Sequence, residues 1–95
     1  MKLSWSRRSL RELAGIEAYI SEQNPSAARR VAAAIVESAY RLEDFPHIGR
    51  RSERSDIRLL KVTGLPYIMP YRVEDKVVEI LAVLHERIER PGDWT

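Results

Sequence analysis

In the first half of the chain apolar residues recur at helical spacing, and beyond Pro46 they fall into alternation or short runs. Leu3 and Trp5 share one side of an alternating Lys2–Trp5 segment, which predicts a short strand. Ser6 follows as an N-cap, because its hydroxyl can take a free backbone N–H of the next turn. Leu10, Leu13, Ile16 and Ile20, with Ala14 and Tyr19 alongside, form one amphipathic stripe that should end near Gln23. Asn24-Pro25 marks a second start: Asn caps well, and Pro suits the first helical position, where an N–H would have no partner. Ala28, Val31, Ala32, Ile35, Ala39 and Leu42 make the second stripe, and Ala32-Ala33-Ala34 allows close helix–helix approach. Phe45-Pro46 stops this helix, since the residue before Pro avoids the α region. So short a link requires an antiparallel helical hairpin.

The second half reads as strands. His47 to Asp56 (HIGRRSERSD) is expected as a loop, Ile57 to Val62 as a strand, and Gly64 with Pro66 as a turn. Tyr67 to Val73 is a further strand, although Pro70 lies inside it. Pro donates no ladder hydrogen bond, so an edge position or a bulge is expected there. Glu74-Asp75 should form a tight turn. Val77 to Leu84 is almost continuously apolar, as in a strand buried on both faces. The order is β-α-α-β-β-β, an α+β fold with the hairpin packed on a small, mainly antiparallel sheet.

Length and composition narrow the class. The 95 residues are the size of one domain, taken as 1–95, and 44% hydrophobic against 32% charged residues can supply a core. Without cysteine there is no disulfide framework, zinc ribbon or thiol nucleophile. The charged N-terminus, Met1 to Arg8, is followed by no apolar stretch of the signal-peptide kind, and no run is long enough to span a membrane, so a cytoplasmic protein without membrane contact is expected. The net charge of +2 is too small to mark a nucleic-acid binder by itself, although 13 of the 16 basic residues are Arg, whose planar fork suits phosphate and carboxylate.

Three groups could carry chemistry. Arg50, Arg51, Arg54, Arg58 and Lys61 lie close in sequence and could bind phosphates, pair with local acids, or meet an acidic protein. His85-Glu86-Arg87 could offer a general base and a phosphate-stabilising guanidinium, or a strand-end His bonded to backbone. Tyr67 and Tyr71 share a strand face and could stack on bases, or pack in the core. Trp94 either packs the tail onto the domain or lies in an interface. No paired carboxylates, Ser-His-Asp spacing, metal-ligand spacing or P-loop are visible, so no metal or cofactor is expected.

The segments LSWSRRSLRELAGIEAYI, NPSAARRVAAAI, LEDFPHIGRR, LPYIMPYRV and VEILAVLHER, taken in this order, resemble the RelE/ParE superfamily of toxins from bacterial type II toxin–antitoxin modules. The resemblance covers nearly the whole chain and rests on the combination rather than on one motif. RelE-like members cut mRNA in the ribosomal A site without a metal, whereas ParE-like members poison DNA gyrase. Arg87 matches the place of a RelE catalytic Arg, Lys61 a basic position, and Arg58 lies near another. His85 stands near a His used by other RNA-cleaving relatives. The RelE Arg after the third-strand Tyr is Ile68 here, and the C-terminal catalytic Tyr has no match in Pro91-Gly92-Asp93-Trp94. The long hairpin and F-P-x-x-G-R look more like ParE. The resemblance therefore implies a growth-arresting toxin of the gyrase-poisoning branch, with a ribosome-dependent mRNA endonuclease or a non-toxic antitoxin-binding member as alternatives. It also implies a cognate, ParD-like antitoxin, with operator DNA contacted only through that antitoxin. The outer face of the hairpin (Leu13, Ile16, Tyr19, Ile20) and the exposed sheet edge are the expected docking surface. Arg50, Arg51, Arg54, Tyr67 and Tyr71 are the expected target-binding set.

Overall fold

The computed structural model describes residues 1–87; the tail with Trp94 lies outside the described residues. Strand β1 (Lys2–Trp5) leads into helix α1 (Arg7–Ser21), and α2 (Pro25–Asp44) follows. Both caps are the expected ones: the Ser9 N–H donates to the Ser6 hydroxyl at 3.0 Å, and the Ala27 N–H to Asn24 Oδ1 at 3.0 Å. The strands β2 (Arg50–Arg51), β3 (Arg58–Lys61), β4 (Tyr67–Glu74), β5 (Val77–Ile80) and β6 (Leu84–His85) complete the order. The sheet runs β1-β5-β4-β3-β2, with β6 also on β4. All pairs are antiparallel except β1 with β5. The expected loop thus contains one short strand. The β4–β5 turn lies one residue later than expected, at Asp75 and Lys76, which both take positive φ as a two-residue hairpin turn requires.

The hairpin covers one sheet face. Ile35, Ala39 and Leu42 of α2 meet Leu60, Met69, Tyr71, Val78 and Ile80, with Leu13 and Ile16 of α1 partly buried beside them. On α1 the inward position belongs to Ser9, fully buried with its hydroxyl donating to the Ser6 carbonyl at 2.8 Å, while Leu10 is 51% exposed. A second cluster, Ile57, Leu59, Ile68, Leu81, Ala82 and Leu84, is also buried. Strand alternation places its β3 and β4 members on the opposite face: Leu59 and Pro70 are partners there, whereas Leu60 and Met69 face the helices.

The expected continuous strand from Val77 to Leu84 is broken. Tyr71 pairs with Ile80 and Ile68 with Leu84, so Met69 and Pro70 of β4 face three residues, Leu81, Ala82 and Val83. One extra residue opposite Pro70 is a bulge. This is the alternative to an edge position that Pro70 demanded. The main-chain groups released by the bulge find partners on α1 and its cap. The Ser6 hydroxyl donates to the Leu81 carbonyl at 2.9 Å, and the Val83 N–H donates to Glu12 Oε1 at 2.9 Å. The Leu81 N–H still reaches the Pro70 carbonyl at 2.9 Å. Arg8 Nε, 3.3 Å from Glu12 Oε2, helps to hold the carboxylate in place.

Stranding the Val83 N–H should cost about 1–3 kcal/mol. Glu12→Ala is therefore expected to lower stability by that order in urea unfolding. Glu12→Gln, which keeps an acceptor oxygen, should lose less than half as much. Equal losses for the two variants would refute the capping role.

Candidate functional site

Two segments singled out in the sequence form one structural unit. Tyr71 is fully buried. Its hydroxyl donates to the Pro46 carbonyl at 2.8 Å and accepts the Gly49 N–H at 3.0 Å. Arg58 Nη1 donates to the carbonyls of Gly49 at 2.9 Å and His47 at 3.3 Å. A Cβ on Gly49 would stand 2.6 Å from Tyr71 Cε1, so only glycine allows this approach. Burial raises the Tyr71 pKa from its ordinary value of 10.0, against smaller opposing effects of the Gly49 N–H and the Arg58 charge. Tyr71 therefore presents no ring face for stacking on a base, and Arg58 spends donors on holding a loop.

The other site candidates are dispersed. Arg58 is the register partner of Tyr71, and Lys61 that of Ile68. Three residues apart on one strand, Arg58 and Lys61 point to opposite faces of the sheet. Lys61 Nζ bonds to the Leu65 carbonyl and lies 3.7 Å from Glu86 Oε2. His85 pairs with Tyr67, on the opposite side of β4 from β3. Arg58 and His85 are thus separated by roughly 13 Å along β4 and about 10 Å across it. His85 Nδ1 accepts the Arg87 N–H at 3.1 Å, and its ring meets Tyr67 edge-on, with centroids 5.9 Å apart. The exposed Arg87 lies in the turn beyond β6. Arg50 and Arg51 form β2, and Arg54 is held to Asp56 at 3.1 Å in the loop that follows.

His85 and Tyr67 have a different neighbourhood. With Glu12, Gly15, Ile16, Tyr19 and Val83 they line an open groove of about 380 Å³ between α1 and the sheet. Of the expected hairpin residues, Ile16 and Tyr19 border this groove, with Tyr19 76% exposed. Leu13 is packed against the core and Ile20 is half-buried. The sequence does not mark Glu12, and it marks Gly49 only as the glycine of F-P-x-x-G-R. Nothing local in the sequence announces a carboxylate on α1 aimed at a bulge. Among the described residues no three His, Asp or Glu side chains gather as a metal site would require.

Residues 3–90 match the family described as the ParE toxin of the type II toxin–antitoxin system parDE. The chain belongs to this family. It is 39% identical over 90 residues to "Putative toxin Y4kP" of Sinorhizobium fredii, an alignment covering 95% of this chain and 93% of the relative. It is 33% identical over 81 residues to "Toxin RelE2" of Caulobacter vibrioides, covering 85% and 90%. The fold superposes on a solved structure described as the chromosomal ParDE TA system from P. aeruginosa. That match has a TM-score of 0.81 and 28% identity, and covers 90% of this chain and 95% of the other. As a ParE-family toxin the chain implies an antitoxin partner. Among its described residues no helix is long and apolar enough to cross a membrane.

Tyr71→Phe would leave the Pro46 carbonyl and the Gly49 N–H without their partner, at a cost of about 1–3 kcal/mol in urea unfolding. The pH dependence has a defined sign. The raised Tyr71 pKa favours the neutral phenol in the folded state, so its contribution is complete below pH 10.0 and is lost as pH rises through the folded-state value. In alkaline unfolding series Tyr71→Phe should therefore lose less stability above that pH than the parent protein. A steeper alkaline loss in the variant would contradict this assignment.

Proposed function

We propose that this ParE-family chain arrests growth by binding DNA gyrase rather than by cutting mRNA, and that a cognate antitoxin of the ParD type neutralises it. The observation that carries this reading is the dispersal of the ribonuclease candidates. Phosphoryl transfer needs its acid, base and charge-stabilising groups around one phosphate. Here Arg58 braces the Tyr71 loop, Lys61 lies on the other face, and His85 sits in the α1 groove. Ile68 and the Pro91–Trp94 segment also lack the RelE Arg and Tyr. A toxin that acts by binding needs none of these groups.

The groove between α1 and the sheet is where we place the antitoxin. Its walls, Ile16, Tyr19, Tyr67 and Val83, offer apolar surface beside an exposed aromatic ring, as expected of a surface that a folding-on-binding segment covers. The likeness to a protein named Toxin RelE2 keeps ribosome-dependent mRNA cleavage as the competing reading.

The test is induction of the chain alone in a bacterial host, reading DNA breaks with the SOS response alongside mapped mRNA 5′ ends. Breaks without codon-positioned mRNA ends are expected. His85→Ala and Arg87→Ala should keep their growth arrest, whereas removal of a catalytic donor would cut the rate by about 10²–10³. New ends within translated codons that vanish in Arg87→Ala would make it a ribonuclease. Growth with neither signal would make it a non-toxic member.

A further inference from the structure

Helix α1 is charged against its own dipole. A helix N-terminus favours anions and a C-terminus favours cations. The first turn of α1 holds Arg7 and Arg8 and no acid, and its last turn holds no base. Glu22 then stands at the C-cap, with the φ and ψ of the helix continued through it. Arg8 is paired with Glu12. Arg7, Arg11 and Glu22 have no side-chain partner among the described residues. Arg7 and Arg11 are also like charges one turn apart, which a lone helix disfavours.

These residues belong to one stripe. Arg7, Arg11, Ala14, Ala18 and Glu22 follow at helical spacing, and all five are exposed. The stripe points away from Ser9, Leu13 and Ile16, which face the core. The groove residues Glu12, Ile16 and Tyr19 lie on another side of the helix, so the stripe is separate from the groove. Along the chain the stripe runs from cations through small residues to an anion, and this order is complementary to its own reverse. Two copies of α1 laid antiparallel, crossing midway between Ala14 and Gly15, set Arg7 of each copy opposite Glu22 of the other. Arg11 then falls opposite Ala18, one turn from the same carboxylate. Ala14 and Ala18 are small, and the space around Gly15 is open, so the helices can approach closely. The half-exposed Leu10 borders the stripe and is covered by the other copy.

Charge order selects the occupant. A uniformly acidic partner would relieve the Arg7 end and repel Glu22, and a basic partner would do the reverse. A partner with the reversed order satisfies both ends, and a second copy of this chain supplies it through an isologous contact. Antiparallel packing also brings opposite dipole ends together. The 15 residues of α1 span about 22 Å. A contact of that length falls below the roughly 800 Å² per partner of a standard interface, so the dimer is weak and depends on concentration.

We propose that two copies of this chain associate through the outer stripe of α1, antiparallel about a two-fold axis, with Arg7 of each paired to Glu22 of the other. The ion pairs lie at the rim, so salt weakens the association.

The experiment is sedimentation of the full chain, free of other proteins, over a concentration series at low and high salt. The parent should show a reversible monomer–dimer equilibrium that shifts toward monomer as salt rises. Arg7→Glu and Glu22→Arg each bring α1 into line with its dipole, so both should unfold in urea at or above the parental midpoint. Each variant alone should nevertheless dimerise about tenfold or more weakly, because like charges then meet at both ends. An equimolar mixture of the two variants should recover parental association, since every contact in the mixed pair again joins opposite charges. A parent that stays monomeric throughout the series would overturn the proposal. So would a dimer that both reversals leave intact, which would place the contact on another surface, or a mixture that associates no better than either variant alone.

Discussion

Most of this fold depends on how one bulge is satisfied. Pro70 sits in β4, an interior strand flanked on both sides, and cannot donate to a ladder. The facing chain answers with an extra residue between Ile80 and Leu84, which would leave polar main-chain groups inside a small protein. Ser6 and Glu12 resolve this from α1, by taking the Leu81 carbonyl and the Val83 N–H. The same two bonds fix where α1 lies across the sheet, and so fix the groove that α1 walls. The Ser6 hydroxyl serves twice, as helix cap and as bulge partner, so the helix start is positioned directly by the strand break. The bulge also shifts the register by one, which turns His85 to the same face as Tyr67 and into that groove.

A second constraint acts at the next residue of β4, Tyr71. Tyr71 is the largest fully buried side chain among the described residues, and its hydroxyl would be costly to bury unpaired. It finds both a donor and an acceptor in the chain leaving α2, with Gly49 providing the space. Arg58 closes the arrangement from β3 by taking the carbonyls that remain. The LEDFPHIGRR and LPYIMPYRV segments are therefore spaced for each other, and their joint presence has an architectural cause.

The periodic parts were legible in the sequence. Both helices, their Ser6 and Asn24 caps, the stop at Phe45 and the need for either an edge position or a bulge at Pro70 follow from local rules that hold before any tertiary contact forms. What local rules could not supply was partnership across the chain. Val77 to Leu84 reads as one strand because apolar runs carry no mark for a bulge. Ser9 rather than Leu10 faces inward because the first turn of α1 is set by the bond from Ser6 to Leu81 and not by the widest apolar stripe. The arginines looked like one cluster because they are close in sequence. A strand separates such neighbours onto two faces, and a loop spends them on its own carbonyls and acids. Of the two tyrosines on one face, burial decides their use: Tyr71 is architecture, and Tyr67 lines the groove.

The distribution of charge then bears on what kind of protein this is. An arginine that stabilises a transition state must keep its donors aimed at the reacting group and must not exchange them for protein carbonyls. Arg58 holds two such carbonyls, and releasing them would also free the loop that Tyr71 anchors. Recruiting it to a phosphate would therefore disturb the core as well as the surface. Arg41 and Lys61 border a different groove, on the outer edge of the sheet. In a domain of this size the same residue cannot readily serve both the core and a reaction. On the function proposed above, the surface cations recognise another chain and are not asked to move a phosphoryl group.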